Sequence, residues 1–246
     1  MKRKLLSLMI AVVFVFALVP SVSAAVTVGE VIKFGGYDWR VLDIQDGRAL
    51  LLSDKVLEQR RYHDTPQFIT WAESDMRAYL NGEFFNSFNE ADRARVVQVT
   101  NTNPDNPWWG TAGGEDTDDY IFLLSLDELI HYFGDADQLI KPAGEREYTW
   151  GFYGAHADAR IAPGQWWWLR SPGGGSGNAA GVNDVGGVDV GGVGVASANL
   201  SGSVRPALWV DMKQPADTGA GGVGAAAALF LVGAVVCINS AKRKKM

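Results

Sequence analysis

Trp166-Trp167-Trp168-Leu169-Arg170-Ser171-Pro172-Gly173, answered downstream by Val204-Arg205-Pro206-Ala207-Leu208-Trp209-Val210, is the stretch on which the reading of this chain turns. Both blocks are rigid and aromatic-rich. Between them runs a segment dominated by Gly, Val, Ala, Asn, Asp and Ser. Bulky anchors on both sides of small residues describe a fixed frame carrying a variable surface, which is the layout of a binding module more than of an enzyme. Gly186-Gly187 and Gly191-Gly192 read as turns between very short Val-x-Val strands. Three consecutive tryptophans cannot all face one side of a strand, so at least one points outward or into a groove. Trp108-Trp109 lies in a polar, Pro- and Gly-rich loop and is expected to be exposed, as hot-spot tryptophans often are. The expected ligand face comprises Trp108, Trp109, Trp167, Asn178, Asn183, Asp184, Asp189 and Asn199. Arg170 and Arg205 sit inside the framework blocks and are expected to tie loops rather than to meet a ligand.

Both ends of the chain speak to location. Lys2-Arg3-Lys4, an apolar run from Leu5 to Val19, and Val22-Ser23-Ala24 form the three parts of a secretory signal with cleavage after Ala24. Ala220 to Ile238 carries no charge and is long enough to span a bilayer as a helix, with a basic cluster, Lys242-Arg243-Lys244-Lys245, directly after it. Gln214-Pro215-Ala216-Asp217-Thr218-Gly219 ahead of that run resembles a Gram-positive cell-wall sorting signal, which makes Thr218 the expected acyl-transfer residue. The organisation expected is a signal peptide (1–24), an extracellular domain (25–212), a linker with a degenerate sorting motif (213–219), a transmembrane helix (220–239) and a basic cytoplasmic stub (240–246). The seven basic residues of signal and stub leave 15 of 22 in the body against all 28 acids, a formal charge of −13. That balance argues against nucleic acid, which requires a basic footprint. The lone cysteine, Cys237, falls in the expected span, so the body has no disulfide and must rest on its core.

Within the body, Val31–Phe34, Tyr37–Ile44 and Arg48–Leu52 read as strands, with Asp46-Gly47 a two-residue hairpin signal. Thr70-x-x-Glu73 is a capping box, so a helix is expected to start there, bury Trp71, Met76, Tyr79 and Leu80, and stop at Asn81-Gly82. Asn89 to Val96 reads as a second short helix. Ser125-x-x-Glu128 is another capping box, with Gly134 as the stop.

Several blocks then occur together: Ile32-Lys33-Phe34-Gly35-Gly36-Tyr37-Asp38-Trp39-Arg40-Val41-Leu42, Met76-Arg77-Ala78-Tyr79-Leu80-Asn81-Gly82-Glu83-Phe84, Thr102-Asn103-Pro104-Asp105-Asn106-Pro107, Gly110-Thr111-Ala112-Gly113-Gly114 and Phe122-Leu123-Leu124-Ser125. With the two framework blocks they resemble a domain-of-unknown-function family of Gram-positive exported proteins. That family looks like a branch of the C-type-lectin-like fold shared with formylglycine-generating enzyme. The resemblance spans about residues 27 to 211. It implies an α+β domain with two main helices beside a small twisted antiparallel sheet, here with the C-terminal transmembrane helix added. It also gives the small-residue segment a second reading. Residues 174–203 lack Trp, Met, Lys, Gln and Glu. Either this is ordinary Gly-rich composition, or it is the product of retroelement diversification through adenine mutagenesis, as in some C-type-lectin-like proteins.

The chemistry of formylglycine-generating enzyme needs a cysteine pair for copper, which this body lacks. His63, His131 and His156 are far apart and in no metal-ligand spacing. No acid–base–nucleophile set is visible. For a hard cation the candidates are Asn101, Asn103 and Asp105, alternating at i, i+2 and i+4, with Asp116 and Asp118 after the Gly113-Gly114 turn. Oxygen-only loop ligands suit calcium, although no EF-hand pattern is present. The alternative for the same residues is a solvated acidic loop stabilised by Asx turns. The expectation for function is therefore a cell-surface-anchored, non-catalytic module that binds an extracellular protein or glycan. An exported enzyme of the formylglycine-generating enzyme superfamily and a passive envelope spacer are the alternatives.

Overall fold

A computed structural model of the protein describes residues 25–134, 161, 165–196 and 202–213. The chain opens with β1 (Val31–Phe34), β2 (Tyr37–Gln45) and β3 (Arg48–Ser53) as an antiparallel meander. The β2–β3 turn has φ of 52° at Asp46 and 80° at Gly47, the pair of positive values that a tight hairpin of right-twisted strands demands. Next come β4 (Glu58–Arg60) and a 3-10 turn at Trp71–Glu73. A helical segment follows, made of α1 (Asp75–Tyr79), a π-helical turn (Leu80–Phe84) and α2 (Phe85–Ser87). After it lie α3 (Glu90–Arg95), β5 (Val96–Val97), β6 (Val99–Asn101), β7 (Thr117–Asp119) and α4 (Leu126–Phe133). The remaining strands are β8 (Trp167–Pro172), β9 (Asn178–Val182), β10 (Val188–Gly194), β11 (Gly202–Val204) and β12 (Ala207–Asp211).

These strands form one sheet in the order β1-β2-β3-β12-β5, a second in the order β10-β9-β8-β11-β4, and a two-stranded sheet of β6 and β7. The pairing is antiparallel except between β11 and β8. The chain first enters the second large sheet between β3 and β4, comes back to the first for β5, and makes its last return between β11 and β12. The first entry and the last return lie side by side: Leu57 N–H donates to Val204 O, Ser53 N–H to Pro206 O, and Arg205 Nε–H to Ser53 O. The central strands β3 and β8 are buried on both faces, from Ala49 to Ser53 and from Trp167 to Pro172. One apolar cluster joins the sheets and the helical segment through Trp39, Leu51, Trp71, Phe122, Trp167 and Leu208.

This architecture overturns the expected lectin-like α+β fold of two main helices beside a small sheet. Among the described residues twelve strands build three sheets, and the longest helix, α4, has eight residues. The reason lies in strands too short to show a period of their own. β4, β5 and β11 have three, two and three residues, and their pairing partners alone make them strands. The expected helix from Thr70 is also corrected. Thr70 makes no capping bond; Ser74 caps instead, accepting from Arg77 N–H at 3.1 Å. The helix then passes through Asn81-Gly82, because the Asn81 side chain accepts from Tyr120 N–H and donates to Ile121 O rather than ending the turn. The other two helix starts are where the sequence puts them. Asn89 caps α3, and Ser125 and Glu128 form a full capping box on α4, which Gly134 closes with φ of 68°.

The membrane-span and wall-anchor expectation is likewise corrected. No helix among the described residues is long and apolar enough to cross a membrane. The run expected as the span (220–239), Thr218 and Ala24 lie outside the described residues.

Candidate functional site

Residues 178–194 of the small-residue segment are two strands and their turn. They form the β9–β10 hairpin, the outer part of the second sheet. Its inward side is core: Ala179, Ala180, Val182, Val188 and Val190 are fully buried. Its turn is built by Asn183, whose Oδ1 accepts from Val185 N–H and Gly187 N–H. Register slips within β10, where Asp189 pairs with Gly181 but Val193 pairs with Ala179. Gly192 makes this possible. Its φ is +69°, and a Cβ there would lie 2.1 Å from Ala179 O. Asp189 stabilises the bulge by accepting from Gly191 and Gly192 N–H at 3.1 and 2.9 Å.

A cleft of about 320 Å³ opens beside the tip of this hairpin, lined by Gln165, Trp166, Gly181, Val182, Asn183, Asp184, Asp189 and Val193. Its aromatic wall is Trp166, whose ring meets Trp168 edge-on at 4.5 Å and covers Gly202. Of the expected ligand face, Asn183, Asp184 and Asp189 converge here. Trp167 does not, being fully buried beneath the Arg205 guanidinium, 5.0 Å from its ring centroid. Trp167 and Trp168 are fully buried in β8, and the tryptophan bordering the groove is Trp166, just ahead of that strand. Asn178 starts β9 and pairs with Gly194, away from the tip. Trp108 and Trp109 sit on a turn pinned by Asn106. The Asn106 Nδ2 donates to Pro172 O and Val190 O, while its Oδ1 accepts from Trp108 N–H. Trp109 is 43% exposed and packs on Gly174, next to the hairpin but outside the cleft. Asn199 lies outside the described residues.

A second cleft of about 590 Å³, at the open end of the same hairpin, is lined by Pro66, Gln67, Phe68, Gly177, Gly194 and Val195. Phe68 is 81% exposed. No sequence signal marks it, since a single apolar residue in a loop is ordinary. Beside it His63 Nδ1 is 2.8 Å from Asp75 Oδ2, and His63 Nε2 is 2.7 Å from Gln67 Nε2. The imidazole thus faces an amide where a catalytic pair would face a nucleophile.

The expected calcium ligands do not converge. Asn101 and Asn103 are buried, while Asp105, Asp116 and Asp118 are exposed. Asp118 accepts from Thr100 Oγ1 across the β6–β7 pair, Asp116 accepts from Asn103 N–H, and Asp105 accepts from Gly113 N–H. Among the described residues no three His, Cys, Asp or Glu side chains are grouped to hold a metal. The carboxylate that organises this region is Asp119, which is fully buried. It accepts from Trp71, Asn101 and Thr117 on one oxygen and from Arg77 and Asn81 on the other. In the sequence Asp119 is one of several acids that follow the Gly113-Gly114 turn. Only its β-strand alternation with buried Thr117, opposite exposed Asp118, points inward.

Arg170 is the second polar knot. It pairs with both carboxylate oxygens of Glu128 and donates to Leu123 O, Thr102 O and Asn103 Oδ1. Tyr62 donates its hydroxyl to Arg170 O, and burial pushes its phenol far above the usual range. Burial also lowers Arg205 to about 10.

The site and fold together define a sheet-rich domain with a cleft on a glycine-rich hairpin, knitted by buried polar side chains. Residues 46–212 match a family described as a domain of unknown function, DUF6273, and the chain belongs to that family. The match starts in the β2–β3 turn, so β1 and β2 complete a sheet whose other strands fall within it. No curated protein and no solved structure matches the chain.

Proposed function

We propose that the protein is an exported, non-catalytic ligand-binding module, and that its binding site is the cleft between Trp166 and the tip of the β9–β10 hairpin. The observation that carries this reading is the cleft itself: one aromatic wall, an apolar floor and four polar side chains, Gln165, Asn183, Asp184 and Asp189. Its volume lies at the small end of the range for ligand sites, roughly 300–1,000 Å³. The residues around it are held by the fold. Trp166 is wedged against Trp168 and Gly202, and the hairpin is fixed by Asn106, Asn183 and Asp189. Such preorganisation lowers the entropic cost of binding. Export rests on the sequence of residues 1–24, and an acidic, disulfide-free body is compatible with it.

The test is an array of glycans and peptides probed with the labelled full-length protein and with an Asp184→Lys variant. Asp184 is exposed at the tip, so the variant is expected to fold. Ligands held by the wild-type protein and released by the variant, at an unchanged melting temperature, support the reading. An empty array, or binding indifferent to Asp184, overturns it.

A further inference from the structure

We propose that the cleft beside Trp166 selects a cationic group, an alkylammonium on an apolar stem. This inference rests on the binding reading above and adds the class of ligand.

The argument starts from what the rim can still offer. A neutral polyol is recognised by many directed donors and acceptors. Three of the polar side chains have spent an acceptor on the fold. Asn183 Oδ1 holds Val185 and Gly187 N–H, and Asp189 Oδ1 holds Gly191 and Gly192 N–H. Gln165 Oε1 takes Gln59 Nε2 and Ser203 Oγ. What remains is less directional: the negative charge of Asp184 and Asp189, the Trp166 ring and the Gly181, Val182 and Val193 floor. Among the described residues no Lys, Arg or His lines the cleft. Among the described residues neither carboxylate forms an ion pair. An anion entering would meet two like charges, and the chain as a whole carries a formal charge of −6. A cation finds both carboxylates and the negative face of an indole, the aromatic ring most attractive to positive charge. An apolar stem then covers the valine floor while the head stays at the wet rim, as lysine side chains do elsewhere.

The test is calorimetric titration of the full-length protein with n-pentylammonium at low salt. The controls are 1-pentanol, pentanoate and methyl β-glucoside. The ammonium is expected to bind on the order of tenfold tighter than the alcohol, with pentanoate silent and affinity falling as salt is added. An Asp184→Asn/Asp189→Asn variant should lose that advantage. The amide at 189 keeps the oxygen that holds the β10 bulge, and Asp184→Asn alone serves if the pair unfolds. Tighter binding of Nα-acetyl-lysine methylamide than of pentylammonium assigns the group to a protein chain, and equal binding assigns a free amine. Alcohol binding as tightly as ammonium, or a double variant that binds unchanged, overturns the cation class. Methyl β-glucoside or an array glycan taking the cleft in place of the ammonium also overturns it, while the binding reading stands. If neither the amines nor the array respond to cleft substitutions, both fall.

Discussion

Asp119 illustrates how much a single side chain can carry. It is a fully buried carboxylate satisfied by five donors from four separate parts of the chain. Removing it strands those donors, including the Arg77 guanidinium. Asp119→Ala is therefore expected to cost roughly 3–5 kcal/mol in urea unfolding. Its neighbour Asp118 is exposed and its carboxylate accepts from Thr100, and Asp118→Ala should cost under about 1 kcal/mol. Equal losses at the two positions would contradict the account of the buried knot. Two phenols supply a pH test. Burial, aided by Glu58, pushes Tyr79 up to about 12, and burial, aided by Asp43 and Glu128, does the same for Tyr132, from an ordinary value of 10. A raised folded value means the stability tied to the neutral phenol is complete below pH 10. It is then lost as pH climbs from 10 toward 12, because the unfolded chain ionises first. Melting across that window should fall less steeply in a Tyr79→Phe/Tyr132→Phe variant, and phenolate absorbance in the wild type should show two late-titrating groups.

Among elements, local signals were the readable ones. Asp46-Gly47 needs no tertiary partner to make a turn, and Ser125 with Glu128 caps α4 from within four residues. Thr70-x-x-Glu73 has the capping-box spacing, yet Trp71, bonded to the buried Asp119, takes a 3-10 turn and Ser74 caps the helix. Ser74→Ala should therefore cost about 1 kcal/mol and Thr70→Ala a few tenths of that. For the hairpin, the residue composition was legible and the burial was not. Val and Ala at alternate positions fit a displayed loop or a core strand equally well, and the neighbouring β8 makes them core. Trp166, rather than Trp167, borders the cleft because it lies just ahead of β8, both of whose tryptophans are buried. Gly192→Ala should destabilise by roughly 2–3 kcal/mol, since it meets both a positive φ and the Ala179 carbonyl. Gly175→Ala, with open space around it, should stay within about 0.5 kcal/mol. Chemical denaturation of the two variants measures the difference.

For the whole molecule, the framework blocks at 166–173 and 204–210 do form the centre, as strands of two different sheets. The long-range order, with β12 beside β3 and β11 between β8 and β4, has no local signature. Native-state hydrogen exchange should find the amides of β3 and β12 protected to the level of global unfolding, and those of the edge strand β1 exchanging earlier. Uniform protection would contradict that ranking. The position of the last two strands has a further consequence for biogenesis. Each large sheet receives an interior strand only at its end in the chain, β11 for one and β12 for the other. A nascent chain emerging from the ribosome can make the β1–β3 meander and the short helices, but the second sheet lacks an interior strand until residue 204 is out and the first until residue 211. The last two strands thus complete both large sheets, and the early meander must wait for them.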